Sequence, residues 1–359
     1  MLRGVTGALH IGDTEALEWD RFLESHPLGQ FQQSAKWARV KAVEGWQAHR
    51  LGLAAEPDHL WGAQILWKKT RLGRFGYISK GPVLVEENPT VVRTALGEIC
   101  HAARRLGLRA LIVQPPDDSS ITTADLVGCG FLPAPVPGVI SATALVNLEG
   151  DRAGIEARMS RRAKQQAKQA RNCGLRIRFG KRSDLRIFFE LMLSSCQRQG
   201  VLPNPSRVEV LEAIWDNFQP HVHLVFARIG EEDVAGWFII GFGERCTFWK
   251  KGWNRCPRAV HANHLLTAEA LYWAADAGYR LADFGGLDRS VAESLLAGAP
   301  LTPEQQRSKD VFHLRMGGVP KVLPVAQIFS ADRMLNCVLR SLCRFPRLWG
   351  WSFKLVARG

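Results

Sequence analysis

Apolar and polar positions along this chain follow two periods, and the places where one gives way to the other mark its elements. Residues 14–25 predict a helix, with Leu17, Phe22 and Leu23 set among acids, and SAKWARVKAVEG predicts a second from Ser34 to a stop at Gly45. Alternating or apolar runs in AHRLGLAA, HLWGAQILWKK and RFGYISKGPVLV predict strands. PTVVRTALGEICHAARRLG then predicts an amphipathic helix, opened by Pro89-Thr90 and ended by Gly107. The strand ALIVQPP follows, Pro and Gly crowd FLPAPVPGV (131–139), and SATALVNL predicts another strand.

From Asp151 the alternation begins again. A basic helix leads to the strand LRIRF, the helix DLRIFFELMLSSCQRQG and a further helix over about 206–218. Strands HLVFARI, VAGWFIIGFG and CTFWKKGW come next, then the helix HLLTAEALYWAADAG and strands in YRLADFGG and MGGVPKVLP. Each half frames helices with strands around a meander. The halves therefore read as two copies of one mixed α/β (α+β) fold, with no short-period repeat. Residues 330–359 predict a closing helix with Leu335, Val338, Leu339 and Leu342 on one side and Arg333, Arg340 and Arg344 interspersed. It either packs on the first domain or touches a membrane surface through Trp349 and Trp351.

Composition narrows the class. A chain of 359 residues suits two domains, and 46% hydrophobic with 23% charged residues is the make-up of a soluble globular protein. Lys and Arg number 47 against 34 Asp and Glu, a net +13 that favours an anionic partner: nucleic acid, a phosphorylated substrate or an acidic membrane surface. Eight cysteines without a C-x-x-C pair, an N-terminus with no apolar signal core, and no membrane-length apolar run point to a cytoplasmic protein. Cys246, Cys256, His261 and His264 match no zinc pattern, so no metal is expected. Asp283-Phe284-Gly285 is a kinase echo without the accompanying glycine loop.

The basic segment RMSRRAKQQAKQARNCG (158–174) carries the charge that most needs explaining. On one helix over 155–171, Ile155, Met159, Ala163, Ala167 and Ala170 form a buried arc of about 120°. Arg161, Lys164, Lys168 and Arg171 fall beside it within about 80°. Like charges at this spacing weaken an isolated helix, and glutamine rather than glutamate dilutes them. A solvated face and an anion-docking strip both remain open.

Five stretches occur in an order that resembles the FemX/FemAB family of aminoacyl-tRNA-dependent peptide-bridge transferases. They are GQFQQSAKWARVKAVEGW (29–46), YISKGPVL (77–84), the basic helix closed by NCGLRIRF, FWKKGW (248–253) with HLLTAEALYWAADAGYRLADFGGLD, and VFHLRMGGVP (311–320). The resemblance implies two tandem acetyltransferase-like (GNAT) domains: residues 1–147, completed by a returning C-terminal helix in 325–359, and residues 148–324. With no heptad insert, the chain resembles the family's armless type. The implied reaction moves an amino acid from aminoacyl-tRNA to an amino group of a peptidoglycan precursor, lipid II or a UDP-linked muropeptide. Aminoacyl-tRNA is then the co-substrate, no cofactor is expected, and the protein is expected to be a monomer, with peripheral contact at the inner face of the membrane.

Residue by residue, Lys41 matches the family's phosphate-contacting lysine, and Arg207 in NPSRVEV is nearest to its phosphate-binding arginine. Lys250 stands where the family has a pocket tyrosine. His313 replaces the lysine that stabilises the reacting centre, and either an imidazolium or a neutral general base fits there. Gln114 replaces an aspartate at the end of a first-domain strand. These two departures point to a divergent subgroup. The alternatives are an N-acyltransferase acting on a non-cell-wall amine, with an acyl-CoA or aminoacyl-tRNA donor, and a tRNA-binding module. The closest string to a CoA pyrophosphate loop, Arg171 to Arg176, ends in arginine and lies at a helix C-terminus, the wrong end for an anion.

Overall fold

The computed structural model describes residues 13–52, 60–132, 136 and 139–343. Its first lobe runs α1 (Asp13–Ser25), α2 (Ala35–Ala42), β1 (Gln47–Gly52), β2 (Trp61–Thr70), β3 (Gly73–Ser79), β4 (Val83–Leu84), α3 (Pro89–Arg105), β5 (Leu108–Gln114) and α4 (Thr123–Gly128). There follow β6 (Ala142–Asn147), α5 (Arg152–Arg158), α6 (Arg161–Asn172), β7 (Arg176–Phe179), α7 (Leu185–Gln199), α8 (Val208–Phe218), β8 (Val222–Ile229), β9 (Glu232–Phe242) and β10 (Arg245–Trp253). The rest is α9 (Ala262–Asp276), β11 (Leu281–Gly286), α10 (Arg289–Leu296), α11 (Pro303–Arg307), α12 (Asp310–Arg315), β12 (Val319–Val322), β13 (Gln327–Phe329) and α13 (Arg333–Cys343).

Local chemistry sets several boundaries. The Ser34 side chain accepts from the Trp37 amide to open α2, and the Asn88 side chain accepts from Thr90 and Val91 just before Pro89 opens α3. The basic segment, expected as one helix over 155–171, is two. The Ser160 amide donates to the Arg315 carbonyl at 2.8 Å while the Ser160 side chain accepts from the Ala163 amide, so a tertiary contact at the end of α12 ends α5 and starts α6. The inward face survives the break, with Ile155, Met159, Ala163, Ala167 and Ala170 all buried in the core that includes α9.

The sheet orders are β1-β2-β3-β5-β13, with β4 on β2, and β12-β6-β11-β10-β9-β8-β7. Each contains an antiparallel meander whose last strand runs parallel to the strand reached through the next long helix: β3 to β5 through α3, β10 to β11 through α9. That shared path makes the halves copies of one fold. Strands also cross between them. β6, counted from the sequence with residues 1–147, lies in the second sheet between β11 and β12, whereas β13 pairs with β5 in the first. Behind β13, Leu335, Leu339 and Leu342 of α13 pack with Ala110 and Ile328 of the first sheet. Arg344, Trp349 and Trp351 lie outside the described residues. No described helix is long and apolar enough to cross a membrane.

One apolar core joins the lobes. Trp19, Phe31, Trp37 and Val40 pack with Leu211, Phe218, Phe226 and Phe238, so α1 and α2 help cover one face of the second sheet. The other face is covered by α5, α6 and α9. A buried ionic chain also crosses: Lys80 Nζ meets Asp117 at 2.5 Å, and Arg245 reaches Asp117 at 2.8 Å and Asp283 at 3.3 Å. Asp283 in turn accepts from Thr143 Oγ1 at 2.5 Å.

Candidate functional site

The two parallel strand pairs differ in one respect. β3 and β5 remain partners over Arg74–Ser79, whereas β10 and β11 pair only over Arg245–Thr247 with Leu281–Asp283 and then part. Just beyond the parting, β10 carries a bulge between Phe248 and Lys250. Lys250 then lies opposite Phe238, on the face toward the first lobe, and Lys251 opposite Trp237, on the other face. Two adjacent lysines thus point to opposite faces of the second sheet where the β10–β11 pairing ends.

On the first-lobe side, Trp37 of α2 stands edge-on to Trp249 at 6.1 Å, and Lys250 Nζ lies 5.1 Å from the Trp249 ring centre. Lys41, one turn beyond Trp37, pairs with Glu44 and lies 5.7 Å from the Trp46 ring centre. Arg207, at the start of α8, donates to the Val43 carbonyl at 3.2 Å, just past the end of α2. Lys41, Arg207 and Lys250 therefore border one seam between the lobes. Burial holds the Lys250 ammonium below its ordinary range; Cys196 opposes that shift and Lys309 adds to it.

On the opposite side, His313 of α12 stacks on Phe284 at 4.9 Å with the rings 13° apart. The side chain is buried, and its Nδ1 has no hydrogen-bond partner among the described residues. Burial, then Lys251 and Lys309, push the imidazole down to about 3. Of the two alternatives, these surroundings disfavour the imidazolium and favour the neutral imidazole. Gly317, at φ 93 against the Arg158 backbone, ends α12 and lets the chain turn back into β12; a Cβ there would meet the Arg158 Cβ at 3.2 Å.

Lys251 is the residue the sequence reading missed. Its Nζ lies 4.1 Å from the Phe312 ring centre and 5.1 Å from that of Trp237, and it has no acidic partner among the described residues. FWKKGW displays both lysines, but the bulge decides which one faces His313.

Gln114 occupies a different place from the one expected. Its amide donates to the Ile140 carbonyl at 2.8 Å and the Pro324 carbonyl at 3.0 Å, pinning the two chain segments that cross between the lobes. Both donors are spent on backbone, so Gln114 is a clasp rather than a member of the reacting centre. Replacing it with alanine leaves both carbonyls short of a donor and is expected to cost about 1–3 kcal/mol. Denaturant unfolding measures that loss, and activity per folded molecule should be unchanged.

The charged strip also gathers into a site. Arg161, Lys164, Lys168 and Arg171 line one cleft of about 590 Å³ together with Arg152 and Tyr272. Arg171 is partly neutralised by Glu269, which also pairs with Arg152 at 3.0 Å. Arg161, Lys164 and Lys168 have no acidic partner among the described residues. The loop from β10 into α9, residues 254–261, contains no glycine to cradle a pyrophosphate, and Arg255 and His261 take positive φ there instead.

A repeated meander-helix-strand path, with one pair of strands splayed, defines a tandem acetyltransferase-like protein. Residues 14–127 match the FemAB family model and residues 157–291 that of an acetyltransferase (GNAT) domain. Lipid II:glycine glycyltransferase of Staphylococcus saprophyticus is 24% identical over 213 residues, covering 56% of this chain and 51% of that protein. The chain thus spans about half the length of the curated relatives it matches. The crystal structure of FemX shares the fold with a TM-score of 0.74 at 18% identity, over 92% of this chain and 99% of FemX. A tandem GNAT protein from the clavulanic acid biosynthesis pathway aligns with a TM-score of 0.52 at 10% identity, over 90% of this chain and 96% of that one.

Proposed function

We propose that this protein is an aminoacyltransferase that moves an amino acid from aminoacyl-tRNA to an amine of a peptidoglycan precursor. The match of residues 14–127 to the FemAB model and the similarity to glycyltransferases support the reaction class and the acceptor. The observation that carries the reading is the early end of the β10–β11 pairing, with a lysine on each face of the sheet just beyond it. The precursor's pyrophosphate lies in the seam of Lys41, Arg207 and Lys250, and tRNA lies along Arg161, Lys164, Lys168 and Arg171. Their reactive ends meet where the strands part. The acceptor amine forms the C–N bond, the carbonyl electron pair moves to oxygen, and collapse breaks the ester C–O bond. Neutral His313 takes the proton lost by nitrogen and returns it to the departing ribose oxygen. No cofactor enters this chemistry.

The test is direct. The protein is incubated with total charged tRNA and either lipid II or its nucleotide-linked precursor, and the acceptor is expected to gain the mass of one aminoacyl residue. No gain on either acceptor, or acyl transfer from acyl-CoA alone, overturns the reading.

The strip has its own prediction. Converting Arg161, Lys164, Lys168 and Arg171 to glutamate should weaken tRNA binding and flatten its salt dependence, by roughly 0.7–0.9 in log–log slope for each phosphate no longer neutralised. Filter binding across a salt series measures this. An unchanged slope would make the strip a solvated face.

A further inference from the structure

We infer that the Lys251 ammonium stabilises the oxyanion formed during acyl transfer, a role that rests on the aminoacyltransferase reading above. Lys251 Nζ lies against Phe312 and Trp237, and Phe312 is the direct chain neighbour of His313. A lysine placed among aromatic rings loses hydration, and that loss is ordinarily recovered through a carboxylate. Several cations in this protein have such partners, Lys80 and Arg245 sharing Asp117, Lys41 having Glu44, and Arg178 having Asp184 and Asp233, whereas Lys250 on the opposite face has none among the described residues. Lys251 has none among the described residues.

Its counter-charge is therefore one that a ligand brings. A standing phosphate is the weaker candidate, because the seam toward the first lobe and the cleft along α6 already hold cations for phosphates. What the gap between β10 and β11 lacks is a partner for charge that exists only while the carbonyl carbon is tetrahedral. Attack by the acceptor amine moves the carbonyl electron pair onto oxygen, and an ammonium beside that oxygen stabilises the result. When the oxyanion collapses, the ester C–O bond breaks and the tRNA ribose oxygen leaves with the proton carried by His313. Lys251 neither gives nor takes a proton.

The surroundings bear on its titration. His313 and exposed Lys309 approach from α12, and His264 of α9 stands edge-on to Phe312 at 5.1 Å. Burial, with Lys309 adding, pushes the Lys251 ammonium down to about 8. The cation is present at pH 7 and is lost as pH rises through that value.

Steady-state transfer by Lys251→Met and Lys251→Arg, beside the unaltered protein, tests the inference. Lys251→Met should lower kcat by about 10²–10³-fold, with KM for both substrates within about threefold, because an interaction made only in the transition state is removed. The unaltered protein should lose kcat above about pH 8, and Lys251→Arg should extend activity to higher pH because guanidinium does not deprotonate there. Retention of kcat by Lys251→Met overturns the inference, as does an alkaline limb that Lys251→Arg leaves in place. If the unaltered protein transfers an aminoacyl group while Lys251→Met does so equally well, the inference alone fails. If the unaltered protein transfers nothing to any amine, the functional reading fails and takes this role with it.

Discussion

An Asp117→Ala chain is expected to lose about 3–5 kcal/mol of stability, because removing one partner of a buried ion pair strands the others. Asp117 is 2% exposed and receives Lys80 at 2.5 Å from its own lobe and Arg245 at 2.8 Å from the other. Without the carboxylate, two cations remain in a buried joint, with Asp283 left to serve Arg245 alone at 3.3 Å. Adding Lys80→Met to Asp117→Ala should recover part of the loss, since it removes the stranded ammonium and keeps its apolar stem. Guanidinium unfolding curves measure both, and a loss below about 1 kcal/mol would show that apolar packing alone holds the lobes together.

The same joint sets an acid limit. Burial opposes ionisation of Asp117, but Lys80 and Arg245 outweigh it and bring the carboxyl from 3.8 down to about 2. A depressed carboxylate stabilises the fold above its unfolded value and ceases to do so as pH falls through its folded one. Asp117 therefore contributes about 2 kcal/mol above pH 4 that is lost between pH 4 and 2.

A His313→Ala protein is expected to transfer about 10²–10⁴ times more slowly at saturating substrates, the usual range for loss of a positioned general base. His313→Gln, which keeps hydrogen bonding but carries no proton, should be nearly as slow. Because burial, Lys251 and Lys309 hold the imidazole down to about 3, the unaltered protein should show no limb near pH 6.5 in its kcat profile. Unchanged turnover in His313→Ala removes the residue from the mechanism. A limb at pH 6.5 that vanishes with the histidine would instead mark an ordinary exposed imidazole. Stability has the matching sign. The unfolded chain takes up a proton at 313 below about pH 6.5 that the folded chain refuses, so His313 makes folding less favourable as pH falls toward 3.

Most elements, and the duplication of the fold, were legible because hydrophobic period and end caps are local. Ile155, Met159, Ala163, Ala167 and Ala170 are buried where the periodicity placed them. The segment 289–315 was not read: α10, α11 and α12 are helices of eight residues or fewer, too short for periodicity to declare. Nor was the exchange of β6 and β13, because pairing between distant strands leaves no local mark.

Of the candidate site, the sequence displayed the basic strip on α6 through helical phase, and Lys41, Lys250 and His313 through the family resemblance. Tertiary structure decided what each part faces. A bulge of one residue turns Lys251 rather than Lys250 toward His313, since side chains alternate along a strand and a single insertion reverses every later one. The crossing of the lobes spends Gln114 on backbone carbonyls and brings Asp117 between two cations. Burial makes His313 neutral, because ionisation responds to the dielectric and the charges that folding assembles and not to neighbours in sequence.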